Sequence, residues 1–121
     1  MGQDHQHRVC GRRGDECIGP ATYSAAKAGV LAFTRHCAKE VARYGVTVNA
    51  VSPSVTLTEP VIKALDRNPG LKERMEAWVP IERLAEPEEQ AAAVVFLASE
   101  AASYITGISL SVNGGWPLNM L

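Results

Sequence analysis

A tyrosine and a lysine stand four residues apart in the run Y-S-A-A-K, at Tyr23 and Lys27. On a helix, side chains at this spacing share a face. A phenol has an ordinary pKa near ~10, and a nearby ammonium lowers that pKa because it favours the phenolate. A tyrosine tuned in this way can take a proton from an alcohol or give one to a carbonyl oxygen. A half-buried tyrosine beside a solvated lysine would show the same spacing.

The elements that must position this pair are predicted from periodicity and breaker residues. Residues 22–44 read as one helix, capped by Gly45. Its apolar face is expected to contain Ala26, Val30, Phe33, Cys37 and Val41. Residues 46–52 are short, β-branched and apolar, which is typical of a strand in a parallel sheet, and Pro53 ends this strand.

The second half of the chain is predicted to contain three more helices and one more strand. Pro60, Pro69 and Gly70 divide residues 54–80 into short helices around 60–66 and 71–78, a candidate lid over a site. Pro87 fits the first position of a helix over 87–99. The apolar face of that helix is expected to contain Ala91, Val94, Val95 and Ala98. A last strand is predicted over 108–112.

Composition restricts the classes of partner. A length of 121 residues is enough for one small domain, and a net charge of −1 favours neither nucleic acid nor an anionic membrane. No apolar run could span a bilayer, and the polar N-terminus lacks the core of a signal peptide, so a cytoplasmic protein with reduced cysteines is expected. Residues 1–19 show no period and are predicted to be irregular or disordered.

Four sequence blocks resemble the classical short-chain dehydrogenases/reductases, in the same order and at similar separations. The resemblance begins near Pro20 and implies an α/β fold, a partial Rossmann-like doubly wound parallel sheet, over residues 20–121. It also implies hydride transfer between NAD or NADP and a small carbonyl or alcohol substrate. The blocks are Y-S-A-A-K-A-G-V-L-A-F-T-R, E-V-A-R-Y-G-V-T-V-N-A-V-S-P, P-I-E-R-L-A-E-P-E-E-Q-A-A-A-V-V-F-L-A-S and Y-I-T-G-I-S-L-S-V-N-G-G-W.

The resemblance implies roles for particular residues. Tyr23 matches the family's acid/base, and Lys27 matches the lysine that lowers the tyrosine's pKa and binds the nicotinamide ribose. Pro53-Ser54 stands where a Pro-Gly pair approaches the nicotinamide, and the serine's Cβ restricts that approach. Thr58, or alternatively Thr56, matches a threonine that holds the carboxamide. Either threonine could instead cap the next short helix.

The segment after Thr58 matches the family's substrate loop. Its apolar residues would line a pocket, although the same residues could simply pack the lid onto the body. They are Val61, Ile62, Leu65, Met75 and Trp78. Family members form dimers or tetramers, which implies a homo-oligomer through helices 22–44 and 87–99, with strand 108–112. Asn113 replaces the usual aspartate, which is expected to leave the strand intact but to weaken a local turn contact.

Several parts of the family pattern find no match in this sequence, among them the residue that selects NAD or NADP and the Asn-Ala-Gly segment at the end of the fourth strand. The glycine-rich phosphate turn does not occur, since Gly11 and Gly14 lack the flanking strand and helix, so the fold is expected to hold only the C-terminal half, without nucleotide-binding strands. Cys10 stands nearest the place of the catalytic serine, but a thiol is a poor hydrogen-bond donor. We therefore expect the pattern to resume near Pro20 after a truncated or out-of-frame segment, in a chain that is inactive alone.

Three hypotheses compete with the oxidoreductase interpretation. In the first, the chain is a non-catalytic fragment that associates with itself or with intact relatives. In the second, His5, His7, Cys10 and Cys17 bind a metal, but their spacing matches no usual zinc pattern, so no metal site is predicted. In the third, Ser24 is a hydrolase nucleophile, which its position inside a helix excludes.

Overall fold

A computed structural model describes residues 21–116 of the chain. Its secondary structure alternates between helices and strands, as the sequence predicts. The helices are α1 (Ala21–Val41), α2 (Glu59–Arg67), α3 (Leu71–Glu76) and α4 (Pro87–Leu97), and the strands are β1 (Ala50–Pro53) and β2 (Ser109–Val112). Single 3-10 turns cover Ala42–Tyr44 and Glu100–Ala102. The interpretation of residues 1–19 as irregular lies outside the described residues.

The two strands form a parallel pair. Ala50 is opposite Ser109, and Pro53 is opposite Val112. Parallel neighbours require a long crossover, and here the connection contains α2, α3 and α4. The expected α/β architecture, part of a Rossmann-like parallel sheet, is confirmed by this pairing.

The prediction for the first strand was wrong at its start, because residues 46–49 do not join the ladder. One backbone bond remains there, from the Gly107 N–H to the Val48 carbonyl at 2.8 Å, and side chains make the other hydrogen bonds. The Thr106 hydroxyl accepts from the Val48 N–H at 3.0 Å. The Asn49 amide accepts from the Ile108 N–H at 3.2 Å and donates to the Ile105 carbonyl at 2.9 Å. Regular pairing begins only at Ala50, whose N–H donates to the Ile108 carbonyl.

The helix ends follow local rules that the sequence shows. Gly45 is left-handed, with φ 74°, and its N–H donates to the Ala42 carbonyl, so the predicted cap is confirmed. The regular α-helix nevertheless ends at Val41 rather than at residue 44. Pro87 occupies the first turn of α4, and Glu86 and Glu89 form a reciprocal capping box.

The predicted apolar face of α1 was wrong in its N-terminal half. Ala26, Val30 and Phe33 are exposed, with Phe33 69% exposed, whereas Thr34 and Ala38 are buried. Because α1 is apolar on more than one side, periodicity cannot identify the side that packs. The side that packs is the one that faces Gly107. A Cβ at Gly107 would lie 3.4 Å from the Ala38 Cβ, so the loop before β2 contacts this face.

The predicted apolar face of α4 was also wrong. All four predicted residues are exposed, including Val94 at 54% and Val95 at 68%. The half-buried residues are Glu89, Gln90, Ala93 and Leu97, and Gln90 Nε2 donates to the Val112 carbonyl at 3.0 Å. Since α4 is apolar almost all round, its packing against the two strands, rather than its pattern, decides which side is covered.

The buried core is small. Within residues 21–116 the buried apolar residues are Ala38, Val79, Leu84 and Ala102, and no large side chain is fully buried. Four buried side chains remove little apolar surface from water, so hydrophobic burial contributes little stability to this part of the chain. None of the helices over 21–116 has the length and apolar character that crossing a membrane requires.

The turn after β2 approaches the segment after α3 closely. Gly114 has φ 61°, and a Cβ there would lie 2.7 Å from Val79 Cγ1. Asn113 Oδ1 accepts from the Gly115 N–H at 3.1 Å, so asparagine makes a local turn contact and β2 is intact. The backbone conformation and the close approach together require glycine at position 114.

We expect Gly114→Ala to lower the free energy of unfolding by roughly 1–3 kcal/mol, because alanine is strained at positive φ and collides with Val79. Gly29→Ala is the matched control. Gly29 lies within α1 with open space around it, so alanine should stabilise by about 0.5–1 kcal/mol. Urea unfolding followed by circular dichroism measures both, and equal effects of the two variants would contradict the close packing.

Candidate functional site

Tyr23 and Lys27 lie in the first two turns of α1. The Lys27 Nζ is 5.5 Å from the centroid of the Tyr23 ring, so the two side chains are neighbours, as their spacing predicts. Tyr23 is 53% exposed, and every residue from 21 to 30 is exposed. The phenol and the ammonium group are therefore open to a small molecule in solvent.

The second part of the candidate site lies at the carboxyl ends of the strands, where open parallel sheets bind ligands. The Ser54 N–H donates to the Val112 carbonyl at 3.2 Å, which fixes the backbone just after Pro53. A cavity of about 210 Å³ is lined by Ser54, Ser111 and Asn113, among others. The two strand ends are thus held side by side, with polar groups at their edge.

The two candidate threonines differ in their surroundings. Thr56 is half-buried, and its hydroxyl donates to the Ser54 carbonyl at 3.0 Å. Thr58 is exposed at the N-cap position of α2, but its side chain makes no capping hydrogen bond. The alternative in which a threonine side chain caps α2 is therefore not observed. Thr58 has the hydroxyl better placed to reach a bound molecule.

The predicted pocket residues are distributed over two helices and the turn that follows them. Val61 and Leu65 on α2 and Met75 on α3 are half-buried, whereas Ile62 and Trp78 are 45% and 42% exposed. A cavity of about 460 Å³ beside α3 is lined by Glu73, Glu76, Ala77, Val79, Pro80 and Glu82. None of the five predicted residues lines either cavity. Trp78 instead stacks on Trp116.

An ion pair beside the strand-end cavity was missed by the sequence analysis. Arg83 makes two hydrogen bonds to the Glu89 carboxylate, at 2.7 and 2.6 Å. The Arg83 guanidinium, together with a hydrogen bond from the Glu86 N–H, lowers the pKa of Glu89 from 4.5 to about 2. The same pairing raises the pKa of Arg83. The sequence signal that could have indicated this cluster is the Glu-x-x-Glu capping pattern formed by Glu86 and Glu89 at the start of α4.

No group of three or more His, Cys, Asp or Glu residues within 21–116 could hold a metal ion. The four His and Cys residues considered as ligands, which include Cys10, precede residue 21, as do Gly11 and Gly14. These predictions lie outside the described residues.

Comparison with known proteins gives consistent matches over most of the chain. A family model described as enoyl-(acyl carrier protein) reductase matches residues 13–117. The chain is 48% identical over 98 residues to an acetoacetyl-CoA reductase from Acinetobacter sp. (strain RA3849), covering 81% of this chain and 38% of that relative. It is 53% identical over 97 residues to a 3-oxoacyl-(acyl-carrier-protein) reductase from Vibrio cholerae, covering 80% and 38%. The chain thus spans about two fifths of the length of these relatives.

Solved structures with similar folds are consistent with these sequence matches. A short chain dehydrogenase family protein from Francisella tularensis superposes with a TM-score of 0.73 at 27% identity, covering 83% of this chain and 45% of that one. A protein from Thermus thermophilus gives a TM-score of 0.70 at 40% identity, covering 79% and 40%. The described residues therefore have the same arrangement as the corresponding part of these structures.

The ion pair predicts a dependence of stability on pH. The lowered pKa of Glu89 means that the pair stabilises the fold above about pH 4.5 and that this contribution is lost as pH falls toward about 2. Glu89→Gln lacks the charge, so its free energy of unfolding should be lower than that of the native chain. This difference should be constant above about pH 5 and shrink at about pH 3. Glu88→Gln, in the same helical turn, is the matched control and should not remove this dependence. A deficit independent of pH in urea unfolding would contradict the pair.

Proposed function

This chain belongs to the short-chain dehydrogenase/reductase family, and we propose that it carries the acid/base pair and the substrate segment of an NAD(P)-dependent carbonyl reductase. The observation that carries the proposal is the pairing of Tyr23 with Lys27 on the exposed start of α1. The sequence blocks shared with the reductases extend this support beyond a single tyrosine–lysine spacing, which any helix can show by chance.

Tyr23 moves the proton in the proposed reaction. Its hydroxyl donates a proton to the substrate's carbonyl oxygen as that carbon accepts a hydride, and it takes the proton back from the alcohol in the reverse direction. The Lys27 ammonium, 5.5 Å from the ring centroid, stabilises the negative charge that remains on the phenol oxygen. When bound, the nicotinamide cofactor supplies the hydride.

Residues at the end of β1 fit the nicotinamide end of such a cofactor. Pro53 is exposed, and Ser54 lies at the strand edge with its N–H already bonded to Val112. The exposed Thr58 hydroxyl, which makes no capping bond, is suited to a carboxamide. Thr56 is the alternative, and because its hydroxyl already donates to the Ser54 carbonyl it would act as an acceptor from the carboxamide N–H. Lys27 would also bind the ribose. This set of donors does not distinguish NAD from NADP.

The substrate is proposed to be a small carbonyl compound or the corresponding alcohol. The two curated relatives act, by name, on acetoacetyl-CoA and on 3-oxoacyl groups of acyl carrier protein. We propose a 3-oxo thioester as the first substrate to test. Its apolar part would lie against the residues predicted for the pocket, namely Val61, Ile62, Leu65, Met75 and Trp78.

A second candidate function is association without catalysis. Large apolar side chains are exposed on two helices, including Phe33 on α1 and Val95 on α4. Apolar patches of this kind mark interaction surfaces, and we propose that copies of this chain, or intact relatives, pair through helices 22–44 and 87–99. Titration with NADH and NADPH separates the two functions, because a folded sample that binds neither cofactor favours association alone.

For the catalytic proposal, we expect Tyr23→Phe to reduce NADPH-dependent turnover of acetoacetyl-CoA by at least about a hundredfold, since the proton donor is lost. Cofactor binding should persist. Tyr104→Phe is the matched control: Tyr104 is fully exposed and lies between α4 and β2 rather than on α1, so this variant should keep full turnover. The assay is the loss of NADPH absorbance, and undiminished turnover by Tyr23→Phe would rule out its assigned role.

Lys27→Met tests the role of the ammonium. We expect the Kd for NADPH to rise about tenfold or more, because a charge-assisted hydrogen bond to the ribose is removed. Lys39→Met, farther along α1, removes the same charge away from the site and should leave the Kd unchanged. Fluorescence titration measures both variants, and equal losses would show that only net charge matters.

A further inference from the structure

The segment that contains α2 and α3, residues 59–78, is fixed mainly at its ends. Neither helix has a buried residue. Before α2, the Leu57 N–H donates to the Ala85 carbonyl at 2.8 Å, and Thr56 bridges to Ala85. Since the helices themselves bury so little, the conformation of the segment depends on what holds its two ends.

The residues that follow the C-terminal end of the segment contact the turn after β2. The Ile81 N–H donates to the Gly114 carbonyl at 3.2 Å. A Cβ at Gly115 would lie 3.0 Å from Pro80 Cγ, so the Gly115 backbone packs closely against the proline ring. The chain reverses here because the Trp116 N–H donates to the Asn113 carbonyl at 3.0 Å.

An aromatic stack completes this contact. The rings of Trp78 and Trp116 are 6.2 Å apart between centroids and inclined by only 16°. Near-parallel rings at this separation are offset, an arrangement that aromatic pairs favour. Trp78 is the last residue of the segment, whereas Trp116 follows β2, and these are the chain's two tryptophans.

We infer that Trp116 is a positioning residue for the substrate segment: by stacking on Trp78 it holds the end of α3 in place, so the turn after β2 governs how readily residues 59–78 open. The inference rests on the proposed function only in naming the segment as the part that faces the substrate. The mechanical coupling itself needs neither cofactor nor turnover.

Limited trypsin digestion tests the coupling, because cleavage in a native chain reports the population of the locally opened form. Trp116→Leu keeps an apolar side chain but removes the stack. We expect cleavage after Arg67 and Arg74 to become roughly two- to tenfold faster, the range that one aromatic pair corresponds to. Cleavage after Arg35 on α1 lies outside the segment, serves as the reference site and should be unchanged. Trp116→Phe, which can still stack, should restore slow cleavage.

Two results would overturn the inference. One is equal acceleration at all three sites, which means that Trp116 only contributes general stability. The other is unchanged cleavage after Arg67 and Arg74 although the near-ultraviolet circular dichroism of the stacked indoles is lost.

A second test uses the native chain, so it does not depend on whether a variant folds. Hydrogen exchange should show the amides of Ile81 and Trp116 opening together, at a lower free energy than the Ala98 amide at the end of α4. Independent opening of Ile81 and Trp116 would refute the coupling. Failure of the catalytic proposal appears elsewhere, in the turnover of Tyr23→Phe, and leaves both of these readouts unaffected.

Discussion

Residues 50–53 pair in parallel with residues 109–112, and the remaining described elements are arranged around this contact. Because the strands are parallel, their carboxyl ends meet at one edge, so Ser54 and Asn113 become neighbours although they are far apart in sequence. α4 crosses the pair and bonds to it through Gln90. Without the pairing, neither the strand-end cavity nor the turn after β2 would have its neighbours.

Close backbone approach, rather than large apolar side chains, holds the elements against the pair. Gly107 packs against Ala38 of α1, and Gly114 leaves space for the Val79 side chain. The core that results contains few residues, and apolar side chains such as Phe33 and Val95 remain at the surface of the described part of the chain. Part-buried polar links at defined points, including the Asn49 amide and the Gln90 bond to Val112, therefore have a larger share in fixing the fold.

The candidate site divides into a chemical part and a positioning part. Tyr23 and Lys27 need only one helix, because their contact is made within two turns of α1. The groups proposed to hold the cofactor and substrate depend on β1, on the Thr56–Ala85 bridge and on the Trp78–Trp116 contact. The first part is local in sequence, and the second requires the sheet to be assembled.

The sequence alone determined the order of elements, the Gly45 cap, the start of α4 at Pro87 and the shared face of Tyr23 and Lys27. Each of these follows from the chemistry of residues within one or two turns of each other. Tertiary structure decided where β1 begins, since the Asn49 and Thr106 side chains make the bonds that a longer strand would have used. It also decided which sides of α1 and α4 are covered, because both helices are apolar on several sides and only contact with Gly107 or Val112 distinguishes them.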